Sequence, residues 1–206
     1  ATAGAPCVFL HGASGDLTPR RSFSADAAVA DQNGLELGHA ALATLASMFP
    51  AGVSLAYAGI EESGAKLAVW REQYCAGNPT LAVRRGTVRL ERLRRKLGLR
   101  QTVGDGTAAD FTYLIWQMGD AFIVALPAEA HSPFQMALRQ IFPDNQIAVL
   151  NIANGYLSYI PPRADYARST YQSKVALYKA GAAEKILGSV TQTIKELLKA
   201  SAARSR

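Results

Sequence analysis

The chain has 206 residues, 49% of them hydrophobic, and a formal net charge of +6. That length and apolar content suffice for a buried core and exclude a disordered tail, and the simplest organisation is one domain over residues 1–206. Its two cysteines, Cys7 and Cys75, have neither CxxC nor zinc-finger spacing, which excludes a disulfide framework and a zinc finger and leaves the compartment open.

No apolar run reaches the roughly 18 residues that a spanning helix needs. The first residues lack the basic segment of a signal peptide. The chain therefore reads as soluble, and its short Ala/Gly/Thr lead fits a mature product or part of a longer polypeptide. Much of the positive charge lies in one run, Arg84, Arg85, Arg89, Arg92, Arg94, Arg95, Lys96 and Arg100. This run has no interleaved aromatics and contains Gly86, so a solvated helix face is expected and nucleic acid is not. Peripheral contact with an anionic membrane or another anionic partner stays open.

In chain order, Cys7 to Leu10 reads as a buried strand ending in a Gly-rich loop. Leu35 to Phe49 has helical apolar spacing before Pro50. Val53 to Ile60 and Leu67 to Trp70 read as strands around the polar turn Glu61 to Gly64. Pro79 to Leu99 is ambiguous, strand and then basic helix. Phe111 to Gln117 and Ala121 to Leu126 flank Met118-Gly119-Asp120 and predict a hairpin. A loop from Pro127 to His131 follows, with Ser132 able to cap a helix from Pro133 to Ile141. Gln146 to Ile152 returns as a strand. Asn154 to Tyr171 is a loop rich in Tyr, Pro and Arg. An amphipathic helix covers about Ala182 to Ala200, with a frayed tail. Strands and helices alternate without strict regularity, and the hairpin adds antiparallel pairing. The expected class is α/β with a mixed sheet, flanking helices and α+β character.

The opening loop, VFLHGASGDLTP, admits several functions. A phosphate cradle lacks its lysine and meets Pro19 too early. The His11-Gly12 pair suits the oxyanion loop of an α/β-hydrolase, which then needs a nucleophile elbow. Gly52-Val53-Ser54-Leu55-Ala56 is the nearest segment, with His131 as base, although Ser54 enters a strand where an elbow serine would leave one. Read alone, Glu129 caps or approaches the following helix, and Tyr156, Tyr159 and Tyr166 pack under a long loop. Asp16 and Thr18 can stabilise a turn, and His39 sits within an Ala/Leu helix.

Three blocks occur in order across about residues 8 to 171: Gly15-Asp16-Leu17-Thr18-Pro19, Pro127-Ala128-Glu129, and Asn154-Gly155-Tyr156-Leu157-Ser158-Tyr159 running on through Arg163 and Tyr166 to Tyr171. Together they resemble the G-D-x-S-P, P-G-E and tyrosine-rich segments of the neutral (neutral/alkaline, non-lysosomal) ceramidases and their bacterial relatives. The resemblance implies the second half of a zinc-dependent amidase domain that cuts the N-acyl bond of ceramide-like lipids. It implies Glu129 and Tyr159 as metal ligands and Tyr171 as an oxyanion or substrate donor. Thr18, where the family has its serine, and Asp16 would shape the water or nucleophile position. Gly15, Tyr156 and Arg163 would bind substrate.

A carboxylate and a phenolate are hard oxygen donors that suit a catalytic ion. The family's two zinc histidines lie upstream of the G-D-x-S-P loop, so the expectation is that a preceding segment or a separate chain supplies them. A site rebuilt from His11, His39 or His131 is the other possibility. Ala128 for glycine and Thr18 for serine leave ceramide itself open among N-acyl amides. The family habit implies secretion or a periplasmic location, with the cytoplasm as the alternative. A metal-free binding module using the arginine run is the reading from outside the enzymes.

Overall fold

The computed structural model describes residues 7–50, 52–62, 66–75, 77, 80–93, 95–97, 101–103 and 106–204. The chain divides into two compact units, Ala1–Leu17 with Pro79–Arg206, and Thr18–Asn78. It has α/β character, with helices and a mixed sheet. No helix among the described residues is long and apolar enough to cross a membrane.

The second unit holds α1 (Ala27–Ser47), β1 (Val53–Glu62) and β2 (Lys66–Tyr74). The helix starts eight residues before the expected Leu35 because Asp26 caps it, its carboxylate accepting from Ala28 N–H at 2.9 Å. The strands pair antiparallel with Tyr57 opposite Trp70, whose rings meet edge-on at 5.8 Å. The pairing runs beyond the expected Trp70 to Tyr74, while Ser63 and Gly64 of the expected turn lie outside the described residues.

In the first unit, β3 (Leu81–Glu91), β6 (Ala108–Met118), β7 (Ala121–Ala125) and β9 (Gln146–Leu150) form a sheet in the order β3-β6-β7-β9. The first two pairings are antiparallel and the last is parallel. Met118 pairs with Ala121 across Gly119-Asp120, as the hairpin signal predicts. Gly119 sits at φ 61°, which glycine adopts without steric cost. Between β7 and β9 the chain crosses over through α2 (Ser132–Ile141), which lets the two strands run parallel.

Period-two burial explains the sheet's inner face: Phe111, Tyr113 and Ile115 of β6, Phe122 and Val124 of β7, and Ile147 and Val149 of β9 are buried. They meet Phe134 and Leu138 of α2 and a stripe on α5 (Ala182–Arg204) of Ile186, Val190, Ile194 and Leu197. Tyr113 is the tightest point. Its hydroxyl reaches Ser189 and Thr193 Oγ at 2.8 and 2.9 Å, and its ring lies so close over Gly86, its partner in register, that a Cβ there would collide with Cζ.

Several expectations are corrected. Residues 7–10 form no strand and are exposed, their link to the sheet being Asn151 N–H donating to His11 O at 2.7 Å just beyond them. Among the described residues the basic run forms no helix. Arg84, Arg85 and Arg89 lie on β3, where buried Leu90 and half-buried Ala82, Gly86 and Val88 set a period of two. A short pairing of β4 (Arg95–Leu97) with β5 (Gln101–Val103) follows, and Arg94 and Arg100 lie outside the described residues. The loops on either side of α2 and β9 are partly ordered as β8 (Glu129–Ala130), β10 (Tyr159–Ile160), α3 (Arg163–Ala167) and α4 (Tyr171–Val175). α5 continues helical through the tail to Arg204, four residues past the expected end.

Candidate active site

β8 and β10 are two residues each, and they set the site. They pair in parallel with Glu129 opposite Tyr159 and Ala130 opposite Ile160. Pairing places Cβ atoms of opposite residues on the same face about 5 Å apart, so a carboxylate and a phenol separated by thirty positions in sequence become neighbours. The strap is held by the backbone on both sides. Ile152 and Ala153 N–H donate to Ala128 and Leu126 O, and Leu157 and Glu129 N–H donate to Pro127 and Ser158 O.

Buried Asn151 completes the clamp, its side chain accepting from Ala130 N–H at 3.0 Å and donating to Ala130 O at 3.2 Å. The segment that turns between these bonds carries Ile152, Asn154 and Ser158 at φ 57°, 59° and 60°, left-handed values that a β-branched isoleucine rarely adopts. Such conformations persist where surrounding bonds over-determine them and concentrate at functional sites.

Tyr156 and Tyr159 lie near Glu129, and Tyr171 lies against Tyr159. Burial first, and then the charge and hydrogen bonding of Glu129, push the Tyr159 phenol up to about 12. Tyr156 moves the same way, through partial burial and then Glu129, although the residue as a whole is 57% exposed. Both shifts favour the protonated phenol. Thr170 caps α4, accepting from Ser173 N–H at 3.3 Å, and so presents Tyr171, whose ring stands edge-on to Tyr159 at 6.0 Å.

The opening loop docks on this strap. Gly15 N–H donates to Ala130 O at 2.9 Å and Gly15 O accepts from Gln172 Nε2 at 3.0 Å, so the loop, β8 and α4 are tied at one residue. A Cβ on Gly15 would stand 2.7 Å from His131 Cδ2 and 3.1 Å from two carbonyl oxygens, which is why glycine occupies the position. Asp16 takes the role expected of Ser132. Its carboxylate accepts from Ser132 N–H at 2.6 Å and from the Ser132 hydroxyl at 2.8 Å, binding the start of α2. Withdrawal from water raises its pKa, but these two bonds outweigh that and the group sits below the ordinary carboxyl range.

Thr18 is exposed and begins the second unit. Arg163 is drawn to the start of α5, with its guanidinium over Gly181 and its backbone N–H donating to Glu184 at 2.8 Å. His39 is exposed on α1. His131 is buried, its Nδ1 lies 3.1 Å from Asp165, and its Nε2 has no hydrogen-bond partner. Ser54 is the second residue of β1, opposite Gln73, with its hydroxyl 3.0 Å from Cys75 Sγ. That is an antiparallel strand and not a strand-to-helix elbow, which removes the serine-hydrolase assignment of Ser54.

Among the described residues there is no group of three or more His, Cys, Asp or Glu side chains that could hold a metal ion. On β3, Arg89 is paired with Asp110 at 3.0 Å. Sequence reasoning missed Asn151, a lone amide closing an apolar strand, and Gln172, neither of which carries a periodic signal.

No protein-family model and no curated protein sequence matches the chain. Among solved structures it is similar to a ceramidase complexed with C2, at 17% identity and a TM-score of 0.41 over 50% of this chain and 18% of that one. It is also similar to the neutral ceramidase from Pseudomonas aeruginosa, at 18% identity and a TM-score of 0.35 over 40% of this chain and 14% of that one. The chain thus spans less than a fifth of either protein and shares with them a distant and partial structural likeness.

Proposed function

We propose that this chain forms part of a hydrolase that cuts N-acyl amides, ceramide-like lipids or related compounds, at a zinc centre to which Glu129 and Tyr159 contribute oxygen ligands. The observation that carries this reading is the parallel register that sets Glu129 beside Tyr159, with Tyr156 and Tyr171 against them. The three motif blocks of the sequence supply the chemical context.

The donors fit part of a zinc site. A carboxylate and a phenol are suitable ligands, but three protein ligands are the minimum for a catalytic ion and four for a stable structural one. The proposal therefore includes two histidines from a preceding segment or a separate chain. Zinc, when bound, polarises a carbonyl and lowers the pKa of its water toward about 7.

The chain's own residues position and donate. Tyr171, exposed and edge-on to Tyr159, would donate to the oxyanion that forms as an amide carbonyl becomes tetrahedral. Tyr156 borders a pocket of about 300 Å³ with Asn154, Gly155 and Leu157, which receives part of the substrate. Gly15 and Asp16 hold the strap and the start of α2 in place. Thr18 remains the position assigned to the water or nucleophile by resemblance.

Zinc binding to the chain completed by the segment or partner chain that carries the two histidines, measured by equilibrium dialysis, tests the reading. Glu129→Gln and Tyr159→Phe should each weaken binding by tenfold or more while leaving the circular dichroism spectrum unchanged. Equal affinity in all three proteins would remove the metal assignment.

A further inference from the structure

The opening loop carries a contact that the amidase reading does not use. Ser14 Oγ lies 2.6 Å from His11 Nε2, both residues half-buried. The loop that holds them is pinned at each end: His11 O accepts from Asn151 N–H at 2.7 Å, and the residue after Ser14, Gly15, donates to Ala130 O at 2.9 Å. Leu17 N–H closes a turn onto Ser14 O at 2.9 Å. The Phe9 ring lies near-parallel to the His11 ring, 6.5 Å between centroids at 25°. Leu10, immediately before His11, forms one wall of an apolar pocket of about 300 Å³ with Leu114, Trp116, Ile123 and Leu150, and with Asn154 as a polar group at its edge.

A hydroxyl within hydrogen-bond reach of an imidazole, on a pinned loop beside an apolar pocket, is the arrangement that activates a serine nucleophile. We propose that Ser14 and His11 form a nucleophile and base pair that transfers small apolar acyl groups from activated esters to water, without a metal. With the ring proton on Nδ1, Nε2 accepts from the Ser14 hydroxyl.

Ser14 Oγ adds to the acyl carbonyl carbon as its proton passes to Nε2. The tetrahedral adduct collapses, the ester C–O bond breaks, and the alcohol departs with the proton from Nε2. Water then adds to the Ser14 acyl ester while His11 takes its proton, and the proton returns to Ser14 Oγ as the carboxylic acid leaves. The pocket by Leu10 selects a short apolar acyl group, and the exposed rim admits the alcohol.

The test is covalent labelling of the chelator-treated full chain with an alkyl fluorophosphonate, followed by intact mass and peptide mapping. One adduct on Ser14 is expected, absent in Ser14→Ala and slowed about 100-fold in His11→Gln, the lower range for a lost general base. Ser14→Cys gives a second readout that needs no alanine variant: the thiol at 14 should be alkylated by iodoacetamide faster than Cys7 and Cys75, which are free and exposed, and His11→Gln should remove that difference. No adduct on Ser14 in wild type, an unchanged rate in His11→Gln, or a thiol at 14 no faster than Cys7 would each overturn the proposal. Because chelator is present throughout, the outcome is independent of zinc binding at Glu129, and either reading can fail alone.

Discussion

The two compact units bury their apolar residues very differently. In the first, the sheet's inner face, α2 and α5 share one core in which Phe111, Ile115, Val124, Leu138 and Ile194 are fully buried. In the second, Val29 is the one buried residue among those described, while Leu45, Leu55, Ile60, Leu67 and Trp70 are exposed. A two-stranded ladder has little hydrophobic gain to set against chain entropy, so the second unit rests on its backbone bonds, the Asp26 cap and the Tyr57–Trp70 contact. The strap of Glu129 and Tyr159 is built on the first unit, where packing and Asn151 hold side chains in place. A site that needs donors placed to a fraction of an ångström belongs on such a scaffold.

Substitutions that strike only one unit sharpen this contrast, and urea unfolding followed by circular dichroism measures each. Phe111→Ala should have the largest effect, about 3–5 kcal/mol, because it removes a fully buried ring and leaves a cavity. Next comes Gly86→Ala. Its methyl group would collide with the Tyr113 ring, itself fixed by Ser189 and Thr193, and overpacking of this kind costs about 1–3 kcal/mol.

Asp16→Asn should cost about 1 kcal/mol through loss of the charged acceptor at the start of α2. That difference depends on pH with a definite sign. A carboxyl whose folded pKa is depressed contributes fully above its unfolded value near 3.8 and loses the contribution as pH falls through the lower folded value. The wild type and the variant should therefore differ at pH 7 and converge below pH 3.8. The smallest effect is expected for Leu55→Ala on β1, within about 0.5 kcal/mol, since the side chain is 46% exposed. A Leu55→Ala cost near that of Phe111→Ala would show that the second unit has a core of its own.

Elements with a strong local signal are legible in the sequence alone. The Gly119-Asp120 turn between two β-rich runs specifies β6 and β7, and the apolar stripe of Ile186, Val190 and Ile194 specifies α5. The basic run misleads, because arginines tolerate a helix as well as the exposed side of an edge strand. Only the burial of Leu90 and the fit of Gly86 under Tyr113 choose the strand. Residues 7–10 mislead in the opposite direction: an apolar run suggests a strand, yet no sheet edge receives it.

At the site the motif order points to Glu129, Tyr159 and Tyr171 as a group, and the fold does bring them together. It also gives their neighbours partners of their own. Asp16 binds the start of α2, Arg163 turns to Gly181, and His131 is buried against Asp165. The Ser14–His11 contact has no signal at all, since two polar residues three apart in a loop follow no helical or strand period.

Elements with local reasons can be read from the chain: turns where glycine accepts positive φ, helices with an apolar stripe, and strands with alternating burial. Which distant residues face one another depends on packing, because the register of β8 on β10 and the bonds of Asn151 and Gly15 involve backbone groups that every residue carries alike. The amino-acid code writes side chains into the sequence, but the pairing of N–H with C=O is settled by how the packed core brings the segments together.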